Sequence, residues 1–420
     1  MTPTLRQRLA GLSAARPRPG QRNAEHSLRP IVSRSASAEG VAVSEEFVPF
    51  GVRGGLEGLP AAEPQLAALL IRTPEARIPP LSEWLFLDLE TTGLAGGTGT
   101  YAFLVGLAQL TPHGFRVRQF FLRDLAEEHT LLARLAPVLR AARVLVTYNG
   151  RLFDAPVLET RFRLARMPAG LDALLHLDLL YPARRLWKCR WGSAQLAVLE
   201  RRLLGFERTE DVPGALIPQL YFTYLRGGDE QSLRVVFQHN RDDLLTLAAL
   251  AARMLHLLAA PEGESCDPLE LLGLARLHER ARPAGRARTL YQRALTGSLP
   301  VEVERAAQFR LSRLYKRQPD YHRALSLWQE LVESGTTQLD RETLEACREL
   351  AICYEHRLGN LEAAARATRS ALARLEEALA GMPENGHRYR RARAAFIHRL
   401  QRLTRPRPRS SRPSFRGESR

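Results

Sequence analysis

The sequence predicts an α/β domain, a mixed sheet flanked by helices, followed by an all-α region of repeated helix pairs. Three observations carry this. Short apolar runs ending in turn residues alternate with helical patterns from Trp84 to about residue 258. The segment Pro261-Glu262-Gly263-Glu264-Ser265-Cys266-Asp267-Pro268 then breaks the pattern, and beyond it only helical spacing is found. In that second half a weak repeat returns at intervals of 37 and 40 residues.

Taken in order, Trp84-Leu85-Phe86-Leu87 reads as a buried strand leading into Asp88-Leu89-Glu90-Thr91-Thr92. The run Gly93 to Thr100 lacks the lysine of a phosphate-binding loop, and Tyr101 to Leu110 is strand-like, so a β-hairpin bordering a cleft is expected. The expected sheet is mixed: the first two strands run antiparallel about that hairpin, with a third near residues 115–122 and crossover helices near 126–141 and 155–167. Val144 to Tyr148 is another apolar strand, turning at Asn149-Gly150 into a helix near Phe153. Val236, Leu244, Leu247, Leu250, Ala251 and Met254 form a helical stripe within residues 233–257.

The repeat lies in LARLHERARPAGRARTLYQRAL, LSRLYKRQPDYHRALSLWQELV and LAICYEHRLGNLEAAARATRSAL, where Ala287, Ala324 and Ala364 precede Ala294, Leu331 and Ala371 by seven residues each. Its period is somewhat longer than that of tetratricopeptide repeats, about 34 residues. His278, His322 and His356 fall with the loops and are expected at the surface. The expected organisation is a disordered basic segment at 1–45, the α/β domain at 46–258, a linker at 259–268, helical repeats at 269–380 and a disordered Arg-rich tail at 381–420.

Chemistry concentrates in three clusters. On a strand Asp88 and Glu90 leave the same face; Asp154 sits at a strand-to-helix junction, and His239 and Asp243 share a helix face. Mg²⁺ and Mn²⁺ take oxygen ligands and complete their shells with phosphate and water, so such carboxylates suit two divalent ions gripping a phosphodiester. An imidazole beside them could orient or deprotonate the attacking water. Each cluster alone has a bland reading: a solvated strand edge, a turn followed by a helix-start acid, a packed histidine.

Together, Asp-x-Glu-Thr-Thr-Gly, Asn-Gly-x-x-Phe-Asp and a His shortly before an Asp resemble the DEDD exonucleases of the ribonuclease H-like superfamily. A closer resemblance is to bacterial YprB-type proteins, which join a ribonuclease H-like domain to tetratricopeptide repeats; it rests on LDLETTGLAGGTGTYAFLVGL, FFLRD, VTYNGRLFDAPVL, HLDLLYPARRLW and FQHNRDDLLTLAAL, spanning about residues 80–255. The resemblance implies that Asp88, Glu90, Asp154 and Asp243 bind two Mg²⁺ or Mn²⁺ ions while His239 positions water. Asn149 would touch the scissile nucleotide, and Thr91 and Thr92 would line the terminal-nucleotide pocket. His239 stands four residues before Asp243, a spacing the family normally associates with Tyr, and Asp242 is a rival for the fourth carboxylate.

Composition fits a polyanionic partner. With 61 basic and 45 acidic residues the formal charge is +16, which favours nucleic acid through counterion release. Residues 388–420 hold twelve Arg and one acid, the composition of a mobile polybasic arm. Trp187 and Trp191 interleave with Arg184, Arg185, Lys188 and Arg190, which reads either as a base-stacking platform or as two core indoles in a solvated loop. Cys189, Cys266, Cys347 and Cys353 have neither disulfide-framework nor zinc spacing, and no apolar stretch reaches membrane-spanning length, so a reduced, cytoplasmic protein is expected.

The expected function is therefore metal-dependent 3′-to-5′ exonucleolytic cleavage of single-stranded DNA or RNA, with the helical repeats binding a protein partner. The alternative is a non-catalytic nucleic-acid-binding scaffold of the same fold.

Overall fold

The structure, a computed structural model, describes residues 41–52, 55–71, 73, 75–93, 97–208, 211–260, 267–279, 284–334, 340–380 and 387–405. Most of the two segments expected to be disordered, residues 1–40 and 406–420, lies outside these.

Six strands form one sheet: β1 (Ala42–Pro49), β2 (Trp84–Thr91), β3 (Ala102–Thr111), β4 (Gly114–Phe121), β5 (Val144–Thr147) and β6 (Leu175–Asp178), in the order β1-β4-β3-β2-β5-β6. From β1 to β2 the neighbours are antiparallel, while β5 and β6 continue parallel to β2. The mixed sheet expected from the sequence is thus present, with β2 at its centre.

Residues of β2 alternate between two cores. Trp84 and Phe86 enter one, Leu85 and Leu87 the other, so by the same two-residue period Asp88 and Glu90 emerge on the Trp84 face. The opposite face is covered by α1 (Glu128–Ala141) and α2 (Asp154–Leu164), whose Leu131, Leu135, Leu139, Leu158 and Phe162 fill the second core. On the Trp84 side lie α3 (Leu180–Leu186) and most of the long helix that follows α4 (Ile217–Leu225), namely α5 (Arg234–Ala259). From Leu244 to Leu258 nearly every α5 side chain is buried, as expected for a helix that is apolar all round.

An all-helical C-terminal region of paired helices follows: α6 (Pro268–His278), α7 (Gly285–Leu295), α8 (Val301–Arg317), α9 (Tyr321–Glu333), α10 (Arg341–His356), α11 (Leu361–Ala380) and α12 (His387–Thr404). Side-chain caps start several of them. Asp267 accepts from Leu269 N at 2.8 Å, Asp320 from Arg323 N at 3.2 Å, Asp340 from Thr343 N at 2.6 Å and Asn360 from Ala363 N at 2.9 Å. All six repeat positions, Ala287, Ala294, Ala324, Leu331, Ala364 and Ala371, are fully buried. Five of the six are alanines, small enough to let the helices pack closely on their neighbours.

The two regions meet at a close seam. A Cβ on Gly273 of α6 would lie 2.6 Å from Arg185 O and 2.7 Å from Leu186 Cα, so α6 runs directly against α3. Beside it, the buried Trp187 donates from Nε1 to Glu270 Oε1 at 2.6 Å. Trp187 is therefore a core indole of the seam, not an exposed stacking platform; Trp191 is half-buried beside it.

Three expectations are corrected. Strand β1 begins at Ala42, inside the segment expected to be disordered to residue 45, because Ala42 to Glu45 pair with Arg118 to Phe121 along the edge of β4. Residues 387–404 of the expected tail are helical: Phe396 is buried, and Arg399 and Arg402 both donate to Glu355. His278 is buried at 4% exposure, and that burial, with Arg286 nearby, pushes its pKa down to about 4. His322 and His356 are exposed as expected. Cys189, Cys347 and Cys353 are free thiols, and Cys266 lies outside the described residues. Among the described residues no helix is long and apolar enough to cross a membrane.

Candidate functional site

The hairpin, the β5 turn and α5 bring the three acidic clusters together at one end of the sheet. Thr92 closes the base of the hairpin: its N–H donates to Tyr101 O at 2.9 Å, and its hydroxyl accepts from Tyr101 N at 2.9 Å. Thr91 Oγ1 donates to Gly93 O at 2.9 Å. Both threonine hydroxyls thus shape the turn beside the acids. Residues 94–96 lie outside the description, but Arg161 of α2 holds the returning limb through Thr98 O at 2.7 Å while pairing with Glu128 of α1 at 2.5 Å.

A second turn presents Asp154. Asn149 takes a left-handed φ of 67°, which Asn tolerates better than most residues. Buried Asp178 at the end of β6 fixes this turn, accepting from Asn149 N at 2.8 Å, Arg151 N at 3.1 Å and Leu180 N at 3.1 Å. Asp178, from the HLDLLYPARRLW stretch, is thus an anchor for the turn. Asp154 then opens α2 and is itself buried.

The third cluster comes from the first turns of α5. Asn240 is fully buried and donates from Nδ2 to Asp88 Oδ2 at 2.8 Å and to Asp88 O at 3.1 Å, while its Oδ1 accepts from Gln119 Nε2 at 2.9 Å. This close approach needs Gly106, which pairs with Asp88 across β2 and β3: a Cβ there would lie 2.1 Å from Asn240 Oδ1. His239 points Nε2 toward Glu90 Oε1 at 4.0 Å and Asp243 Oδ2 at 3.5 Å, and its Nδ1 lies 2.6 Å from Asp211 Oδ1.

Electrostatically the four acids behave as one group. Burial, then the charges of Asp243, Glu90 and Asp154, holds Asp88 well above the usual carboxylate range, against the hydrogen bond from Asn240. Burial likewise raises Glu90, with Asp243 and Asp154 adding to it and Arg208 opposing. Asp154 is pushed up to about 7 by burial, although backbone N–H groups of Asp154 and Leu89 favour its charged form. Asp243 is raised by burial against the pull of His239 and Arg208. It is Asp243, not Asp242, whose charge acts on the other three; Asp242 is tied to Gln238 Nε2 at 2.9 Å and lies 3.5 Å from Arg241 Nη1.

Two participants carried no signal in the sequence. Arg208, with a side chain only 8% exposed, forks onto Glu200 with two hydrogen bonds of 2.9 Å, donates to Asp243 Oδ1, and approaches His239 Nδ1 at 3.2 Å. Asp211 is the other, at the same Nδ1 edge of the imidazole and 3.6 Å from Arg208 Nη1. Both belong to a connection without a recognisable pattern. Asn240 is visible in the HNRDD motif, but its contact with Asp88 depends on the packing of α5 against Gly106.

Among the described residues, no three His, Cys, Asp or Glu side chains are drawn tightly enough to enclose an ion. Arg208 takes one oxygen of Asp243. The donor chemistry nevertheless fits a hard divalent cation: the acids offer only oxygen, and their raised proton affinities mark a buried negative charge that a cation would relieve.

Comparison with known proteins places this site in a family context. Residues 85–255, a segment that includes all four acids and His239, match the model of the RNase_H superfamily. The chain is 34% identical over 274 residues to YprB, an uncharacterized protein of Bacillus subtilis (strain 168); the match covers 65% of this chain and 65% of YprB, just under two thirds of that relative. A looser likeness, at 15% identity and a TM-score of 0.36, is to the family B DNA polymerase of the hyperthermophilic archaeon Pyrobaculum calidifontis, covering 52% of this chain and 30% of the polymerase. That score is too low to bear on fold or chemistry. Residues 85–255 are thus a ribonuclease H superfamily domain, in a chain homologous to YprB.

Proposed function

We propose that the domain is a metal-dependent phosphodiesterase that removes nucleotides from the 3′ end of single-stranded DNA or RNA. The observation that carries this is the gathering of Asp88, Glu90, Asp154 and Asp243, from β2, α2 and α5, into one electrostatically coupled cluster inside a strongly basic chain. In this reading the four carboxylates hold Mg²⁺ or Mn²⁺. A divalent cation bound there supplies Lewis-acid polarisation of a phosphoryl oxygen and a water acidic enough to attack. His239, oriented through Nδ1 by Asp211, turns Nε2 toward Glu90 and Asp243, where it would accept a proton from the attacking nucleophile. Asn149 and the Thr91–Thr92 hairpin base contact the terminal nucleotide, and the tetratricopeptide-like helix pairs bind a protein partner.

The test is digestion of 5′-labelled single-stranded DNA and RNA with Mn²⁺ or Mg²⁺. Wild type is expected to shorten the strand stepwise, and Asp88→Ala to be slower by about 100-fold or more, as for loss of a group acting in the transition state. Equal activity of the two proteins, or none on either nucleic acid, overturns the proposal. One observation favours a non-catalytic binding module instead, the Arg208 guanidinium seated on Asp243; strand binding by wild type and Asp88→Ala alike, with no cleavage by either, supports that reading.

A further inference from the structure

The geometry points to a cleft that holds one divalent ion, with the Arg208 guanidinium fixed on Asp243 in the place that a second ion would occupy. This rests on the metal-dependent reading above and departs from the paired ions that the sequence resemblance implies. Arg208 is in this sense a positioning residue, acting through Asp243 and His239.

Its anchoring is the first argument. Glu200, 2% exposed, receives Arg208 through Nε and Nη2 at 2.9 Å each and also accepts from Thr246 Oγ1, so the guanidinium is held by a forked pair whose acceptor is itself held. Such planar, charge-assisted forks fix orientation as well as position. A side chain merely drawn in from solvent by negative charge would have no such buried seat.

Occupancy is the second. Asp243 Oδ1 accepts from Arg208, and Asp243 Oδ2 faces His239 Nε2 at 3.5 Å. The guanidinium thus takes one oxygen of Asp243 and leaves the other facing the imidazole. Among the described residues, no side chain donates a hydrogen bond to Glu90, to Asp154 or to the second oxygen of Asp88. A dication placed beside Asp243 would also meet the positive guanidinium at close range in a buried setting, where repulsion is poorly screened. The side of the cleft lined by Asp88, Glu90 and Asp154 is left for the ion, about which the fixed charge of Arg208 holds Asp243 and the imidazole in place.

The experiment is titration of the full chain with Mn²⁺ alone, without nucleic acid, counting bound ions by calorimetry and reading their coupling by electron paramagnetic resonance. Wild type is expected to bind one ion in the cleft, lost in Asp88→Ala, with an uncoupled spectrum. Arg208→Gln, once its melting curve shows it folded, is expected to take up a second ion and give a spin-coupled signal. A coupled pair in wild type overturns this inference while leaving the metal-dependent proposal standing, as does a folded Arg208→Gln that still binds only one. No uptake by wild type overturns the metal-dependent proposal itself. Should Arg208→Gln fail to fold, the wild-type count alone decides.

Discussion

Gly106→Ala tests how the acid cluster is assembled. The new methyl would sit 2.1 Å from Asn240 Oδ1 and 2.7 Å from both Cγ and Nδ2, in a spot where Asn240 is fully enclosed and cannot step aside. Expelling the amide breaks its bonds to Asp88 Oδ2, Asp88 O and Gln119 Nε2. At about 0.5–1.5 kcal/mol for each of the three hydrogen bonds, and about 1–3 kcal/mol for overpacking, the expected loss is about 2.5–7.5 kcal/mol. The gain from replacing glycine within a strand, about 0.5–1 kcal/mol, is too small to offset it. Asn240→Ala supplies the control. Gln119 keeps its second acceptor, Phe237 O at 2.8 Å, so this variant should cost about 1–3 kcal/mol, and adding Gly106→Ala to it should cost less than about 1 kcal/mol. Urea unfolding followed by circular dichroism on the four proteins of the cycle measures the coupling. Equal cost of Gly106→Ala in the two backgrounds would refute the packing argument.

Two further outcomes follow from the same geometry. Because burial raises Asp154 from an ordinary 3.8 to about 7, the folded state binds its proton more tightly than the unfolded chain; stability from this group is full below about 3.8 and is lost as pH rises to about 7. In EDTA, Asp154→Asn should therefore gain Tm relative to wild type between pH 5 and pH 8, and a difference independent of pH would contradict the assignment. Gly273→Ala sets a helix-propensity gain of about 1 kcal/mol against a clash with backbone atoms of Arg185 and Leu186 that cannot rotate away. The clash should prevail, giving faster proteolysis between α5 and α6; cleavage at the wild-type rate would argue against it.

Much of the fold was legible because local patterns and burial agree. The alternation in Trp84 to Leu87 sends those residues into two different cores, and the seven-residue steps from Ala287, Ala324 and Ala364 fall on fully buried sites. Strand β1 was missed because half of its side chains are exposed or charged; it is held by the backbone ladder to β4, which leaves little hydrophobic pattern. The helix at 387–404 was hidden by its arginines, which pair with Glu355 and Glu376 from other helices. At the cleft, acids and histidine could be named from motifs, whereas Arg208 and Asp211 could not. Their roles arise from where an irregular connection passes over α5, and no short-range periodicity records that.

The direct contact of Gly273 with the α3 backbone, locked by Trp187 and Glu270, leaves no slack for a hinge where the two regions join. Under the proposed function, a partner grasped by the C-terminal helices would be offered to the acids at a constant bearing. In that role the molecule would work as a jig, with reach and angle set by the carbon that residue 273 does not have.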